Sequence, residues 1–309
     1  MTEAWIAARL IQFAAAMAGF GIGAFRVYAF AGMAGSARDA SAHAELDTWL
    51  ARAMLVAAAV ALLSALAIVP FIASEMAGSE AAALDPVILR AAMFETDFGH
   101  VWCWHIGFAV ALMLLSAMPR QRWQVGLTTT AALLLLASLG LTGHAAMDMG
   151  GGPTHEINQM AHLTAGGLWL GGLLPLGVLL RRAARPDGAA YVPLARIALP
   201  HFSQMGYAAV ALLLITGTVN SVMLVGSFDG FVTSPYGRLL AVKIALFLAM
   251  IALAFVNRFR LLPRLSGPEA AIVPLRTLAR SVIAEQAIGL AILAVVAVLG
   301  TWPPANMAM

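Results

Sequence analysis

Seven histidines, 16 methionines and one cysteine are the side chains of this 309-residue chain that bind soft or borderline metals. Five of the histidines fall between positions 100 and 162: His100, His105, His144, His155 and His162. The run GHAAMDMGGGPTHE (143–156) joins two of them and adds Met147, Met149, Asp148 and Glu156. Imidazole with thioether is a donor set for copper, because thioether selects Cu(I) and imidazole accepts either oxidation state. Carboxylates are few, which disfavours magnesium and calcium. The lone cysteine, Cys103, excludes a disulfide framework and any cysteine-cluster metal site.

Spacing limits how these donors combine. On a helix, His155 and His162 lie two turns apart, about 10 Å of rise, on nearly one face. They can line one path but are too far apart to hold one ion together. His100 and His105 point about 140° from each other, so at most one faces a given cavity. A single site is therefore expected to combine His144, one of His155 and His162, and His105. Met147 and Met149 differ from the other methionines, most of which must be packing residues, because they sit in a polar, glycine-rich stretch beside His144. Met307 and Met309 add thioethers near the C-terminus.

The elements that position these residues must be membrane helices. The chain is 61% hydrophobic and 11% charged, with a mean hydropathy of +0.88. Soluble domains carry roughly 25% charged residues. Runs of about 20 apolar residues cross roughly 30 Å of hydrocarbon, and in lipid such runs must be helices. The sequence predicts an all-α integral membrane protein with spans near 4–31, 50–73, 98–118, 124–144, 156–180, 203–226, 236–257 and 279–300. It reads as a single membrane domain over 1–309 in contact with the lipid bilayer. A net charge of +3, carried by arginines at helix ends, does not suggest nucleic acid. The N-terminal MTEAW has no basic stretch, so a cleaved signal peptide is not expected.

Basic residues set the expected orientation. Arg120 and Arg122 follow the third span. Arg181, Arg182, Arg185 and Arg196 follow the fifth, and Arg258, Arg260, Arg264, Arg276 and Arg280 follow the seventh. On the opposite side, segment 74–97 carries Glu75, Glu80, Asp85, Glu95 and Asp97 against one arginine, Arg90, and segments 145–155 and 227–235 carry no arginine. The arginine side is then cytoplasmic and both termini face outward. Segment 32–49 falls inside although its charge is neutral to acidic. This orientation places His100, His105, His144, His155 and His162 in one outer zone, with His43 and His201 on the inner side as solvated residues.

Four spans resemble four more, suggesting parallel repeats over 1–150 and 151–309. QFAAAMAGFGIGAF (12–25) lies against MAHLTAGGLWLGGL (160–173), pairing Gly19 with Gly167 and Gly23 with Gly171. FGHVWCWHI (98–106) lies against YGRLLAVKI (236–244). The paired glycines are small-residue steps that let helices pack closely. Trp102 and Trp104 read as an interfacial belt around Cys103. Lys243 and Glu285 are expected at different depths in structural roles, paired with other spans, as Arg26 with Glu285.

The run HLTAGGLWLGGLLPL (162–176) resembles the fifth-span signature of the copper resistance protein D family. TGTVNSVMLVGSF (216–228), TSPYGRLLAVKIALF (233–247), NRFRLLPRL (257–265) and LARSVIAEQAIGLAILAVVAVLGTWPP (278–304) extend the resemblance in order, with ETDFGHVW (95–102) before them. One departure is LPHFSQMG (199–206), with His201 where arginine is expected. The resemblance implies an eight-span bacterial inner-membrane protein that moves copper inward beside a periplasmic copper-binding partner of the CopC type. Two other readings stay open on the residues. One is a b-type haem protein using His105 and His162 as axial ligands. The other is a scaffold that holds copper without moving it. No phosphate-binding loop and no catalytic constellation is read, so an enzyme is not expected.

Overall fold

The structure is a computed structural model describing residues 2–30, 40–142, 152–266 and 272–304. Eight helices in it are long and apolar enough to cross a membrane. We label them α1 (Glu3–Phe30), α2 (Ala40–Ala77), α3 (Asp97–Ala117), α4 (Trp123–Leu141), α5 (Pro153–Ala183), α6 (Ala189–Val225), α7 (Pro235–Leu265) and α8 (Val273–Leu299). No strand occurs among the described residues.

The sequence places helix ends where capping chemistry demands them. Thr96 accepts from the Gly99 amide (2.9 Å) to start α3, and Asp97 adds an acid to its first turn. Ser234 accepts from the Gly237 amide (2.9 Å), with Pro235 opening α7. α6 ends at Gly226, whose φ of 73° favours glycine.

Several helices outrun their predicted spans. α2 has 38 residues and α6 has 37, so each is about 55 Å long against roughly 30 Å of hydrocarbon. Hydropathy marks only the lipid-embedded part; the helices continue past it into water. The predicted loops at 32–49 and 181–202 are therefore largely helical in their described parts, and Arg181, Arg182 and Arg196 ride on helix ends.

Each half of the chain forms a four-helix group. In the first, α1 packs on α2 and α4, α2 on α3, and α3 on α4. In the second, α5 packs on α6 and α8, and α8 on α7. The groups meet chiefly along α1 and α5. These two helices are central: 67% of the most apolar stretch of each is buried, against 11% for α7.

At their crossing the backbones touch. A Cβ on Gly21 would strike the backbone of Gly171 and Gly172, and one on Gly171 would strike the Met17 carbonyl oxygen. The glycine approach foreseen for these helices thus involves Gly21 and Gly171 across the interface. Gly23 instead faces Thr129 on α4, and Gly167 faces Leu136 and Phe20. α5 is wound as a π-helical turn over Gly167–Gly171, where it meets α1.

One end of the bundle is rich in arginine. Its acids are partners rather than exceptions: Arg26 donates to Asp47 (2.7 Å), Arg120 donates to the other Asp47 oxygen (3.2 Å), and Tyr191 donates to Glu45. This explains the neutral-to-acidic balance of 32–49. It also corrects the expected pairing of Arg26 with Glu285, because Asp47 is nearer in the fold and Glu285 bonds Asn257. Trp102 is likewise not a belt residue. It is buried, donates to the Ala65 carbonyl (3.0 Å) and stacks on His105, whereas Trp104 is 69% exposed on the lipid-facing side.

Candidate metal path between the two halves

A cavity of about 130 Å³ lies between the two four-helix groups, toward the end of the bundle that carries both termini. A water needs on the order of 10–15 Å³ of such space, so the cavity holds several waters or a partly hydrated ion. Its polar wall combines Arg9 and Gln12 of α1, His155 and Gln159 of α5, Asn220 of α6, and Tyr236 and Lys243 of α7. A wider vestibule of about 1250 Å³ shares Trp5, Arg9, Phe98 and Gly300 with it, and adds Glu75, Glu80, Asp97 and Glu156. Acids thus rim the approach, while among the described residues the wall of the inner cavity carries Arg9 and Lys243 and no carboxylate.

His155 is 2% exposed, and its Nδ1 has no partner among the described residues. One turn deeper, the α5–α6 seam is tied by amides. Asn158 donates to Asn220 (2.8 Å) and to the Thr216 carbonyl (3.1 Å), and Asn220 donates to Gln159 (2.7 Å). This ladder fixes the wall against which His155 sits.

His162 lies two turns below His155 on the same helix, beside Gly217 of the cavity wall. Its Nδ1 is 2.8 Å from Thr216 Oγ1. The single Thr216 hydroxyl hydrogen goes to the Leu212 carbonyl (2.6 Å). Thr216 therefore accepts, His162 Nδ1–H donates, and the lone pair of the neutral ring resides on Nε2. This is the tautomer of a metal-ligating histidine whose other nitrogen is held by a neighbour. Lys243 lies within electrostatic reach.

His105 is different. It is fully buried, with both ring nitrogens bonded: Nδ1 to Ser138 (2.8 Å) and Nε2 to Gln12 (2.6 Å). Ser138 gives its hydrogen to the Leu135 carbonyl (2.8 Å), so Nδ1–H donates and Nε2 accepts from the Gln12 amide. Ser64 completes the chain by donating to the Gln12 carbonyl oxygen. His105 thus touches the cavity wall through Gln12 and Trp102 rather than lining it. His100 is exposed, donates from Nε2 to the Phe94 carbonyl (3.0 Å), and stands apart from the cavity wall. Cys103 donates to the Met93 carbonyl (3.7 Å).

His144, Met147 and Met149 lie outside the described residues. Their segment is nonetheless bracketed by Thr142 and His155, both of which line the cavity. Among the described residues no three His, Cys, Asp or Glu side chains converge as a ready metal cluster. The structure sets His155 in the cavity wall, places His162 on the same helix beside Gly217 of that wall, and leaves His100 and His105 out of the wall. Gln12, Gln159, Asn158 and Asn220 are not metal donors and so stand outside the predicted set. Their signal was present all the same: polar residues inside apolar spans face the bundle interior.

Eight helices long and apolar enough to cross a membrane, around a polar cavity, define a polytopic membrane protein. Residues 1–154 match the family model for the copper resistance protein D-like N-terminal domain, and residues 196–299 match that for copper resistance protein D. The chain is 32% identical over 222 residues to the inner membrane protein YebZ of Escherichia coli (strain K12), covering 69% of this chain and 71% of that one. It is 30% identical over 233 residues to the copper transport protein CutJ of Bacillus subtilis (strain 168), covering 73% of this chain and 40% of the relative. It is 32% identical over 173 residues to copper resistance protein D of Pseudomonas syringae pv. tomato, covering 55% and 56%. No solved structure matches. The chain belongs to the copper resistance protein D family, and its function is copper-related and membrane-bound.

Proposed function

We propose that the chain moves copper across the bacterial inner membrane, inward, along α5. The observation that carries this reading is the cavity between the halves, into whose wall His155 is set with a ring nitrogen that has no partner among the described residues. Below it, His162 presents its Nε2 lone pair. The His144, Met147 and Met149 segment is the capture element, since both its flanks reach the cavity. The acidic vestibule draws cations in, and a periplasmic protein of the CopC type is the proposed donor. In this reading the arginine-rich end is cytoplasmic and both termini are periplasmic.

The charge of the wall favours Cu(I) as the transported ion. Arg9 and Lys243 line a cavity whose wall has no carboxylate among the described residues, so there a dication meets about twice the repulsion of a monocation. Thioether and neutral imidazole then suffice as ligands. The haem reading finds less support, because both nitrogens of His105 are held by Gln12 and Ser138.

The test is copper accumulation in cells and flux into vesicles. His144→Ala combined with His162→Ala abolishes copper-dependent accumulation, and Cu(I) enters vesicles faster than Cu(II). Unchanged accumulation in a well-expressed double variant overturns the site. Stoichiometric copper binding without flux favours the scaffold.

A further inference from the structure

The second group contains a buried carboxyl that the copper path does not use. Glu285 of α8 is 3% exposed, and no cation pairs with it among the described residues. It is held by two neutral donors from two other helices. The Asn257 Nδ2 of α7 donates at 2.5 Å, and the Trp169 indole of α5 also donates to the carboxylate. Both donors sit in π-helical turns, Gly167–Gly171 and Asn257–Leu261, and such turns recur at functional sites. Asn257 Oδ1 is buried with no partner among the described residues.

This arrangement serves either state of the acid. A carboxylate accepts only, and finds two N–H groups. A carboxylic acid must also donate, and Asn257 Oδ1 is the unused acceptor beside it. A purely structural carboxylate would not need that vacant acceptor. A cavity of about 150 Å³ opens beside the group, mostly apolar, with Tyr207 and Arg258 in its wall toward the arginine-rich end. Arg258 is bonded to the Tyr207 hydroxyl (3.2 Å) rather than to Glu285. From α1, the arginine at this end, Arg26, is committed to Asp47. On α8, Gln286 donates to the Leu173 carbonyl of α5 (2.7 Å).

We propose that Glu285 is a proton-binding site, loaded from the arginine-rich face. A proton from water adds to the carboxylate, and the new O–H donates to Asn257 Oδ1. Release reverses this and restores the acceptor-only carboxylate to the Asn257 and Trp169 N–H groups. The site stands without the copper reading, and the test is made on copper-free protein.

The purified chain in detergent is treated with dicyclohexylcarbodiimide, which reacts with protonated buried carboxyls, from about pH 5 to about pH 9. Mass spectrometry of the wild type is expected to place the adduct on Glu285, with a yield that falls as pH rises. Infrared difference spectra are expected to show a carboxylic acid carbonyl band that titrates with pH, disappears in Glu285→Gln and returns in Glu285→Asp. No adduct at Glu285 at any pH, or a titrating band unchanged in Glu285→Gln, overturns the proposal. Adduct mapping needs no variant, so the test survives a substitution that fails to fold.

Discussion

The histidines of this chain divide by what their second nitrogen does. His105 is a closed link between Gln12 and Ser138. Removing it leaves the buried Gln12 amide N–H group unpaired, at about 1–3 kcal/mol, and opens a cavity where the imidazole stacked on Trp102. His105→Ala is therefore expected to lower the unfolding temperature in detergent markedly while copper still binds. His155→Ala should do the reverse, because its Nδ1 has no partner among the described residues: copper affinity falls by more than stability does, as titration with a Cu(I) chelator beside a thermal scan would show. Residue types alone separated donors from bystanders only in part. That His155 and His162 lie on one helix, two turns apart, was legible from their spacing. The closure of His105 was not, because Gln12 and Ser138 lie 93 and 33 residues away in sequence, on helices whose rotation no apolar run specifies.

At the scale of elements, the crossing of α1 and α5 depends on the absence of side chains. Gly171→Ala places a methyl group against the Met17 carbonyl oxygen, and Gly21→Ala against the backbone of Gly171 and Gly172. Backbone cannot move aside as a flexible side chain can. Both variants are expected to lose folded yield and to unfold at lower temperature, by size-exclusion profile and thermal scan. Gly126→Ala and Gly206→Ala, where an added Cβ meets nothing within 4 Å, should be neutral or stabilising by about 0.5–1 kcal/mol. The eight spans were legible because hydropathy reports lipid directly. Helix ends at 40, 189 and 265 were not, because polar, water-exposed turns carry no apolar signal. The glycines announced close packing, but their partners across the interface depended on the helix crossing.

For the whole molecule, the two ends differ in charge and in cavity chemistry, and this fixes a testable topology. In a Cys103→Ser background, Ser79→Cys and Asp229→Cys are expected to react with an impermeant maleimide added outside intact spheroplasts, whereas Asp187→Cys reacts only after lysis. Equal labelling of all three would overturn the orientation. The acidic vestibule should also make uptake fall with ionic strength, since fields of exposed charges are screened beyond about 10 Å at 0.1 M salt. The crossing at Gly21 and Gly171 has one further consequence. Two backbones already in contact can neither approach nor slide without rupture, but they can still turn. Any motion between the halves must therefore rock about that point as on a fulcrum. On such a lever, the gap on the side of His155 narrows as the gap on the arginine-rich side widens, so that the molecule cannot gape at both faces at once.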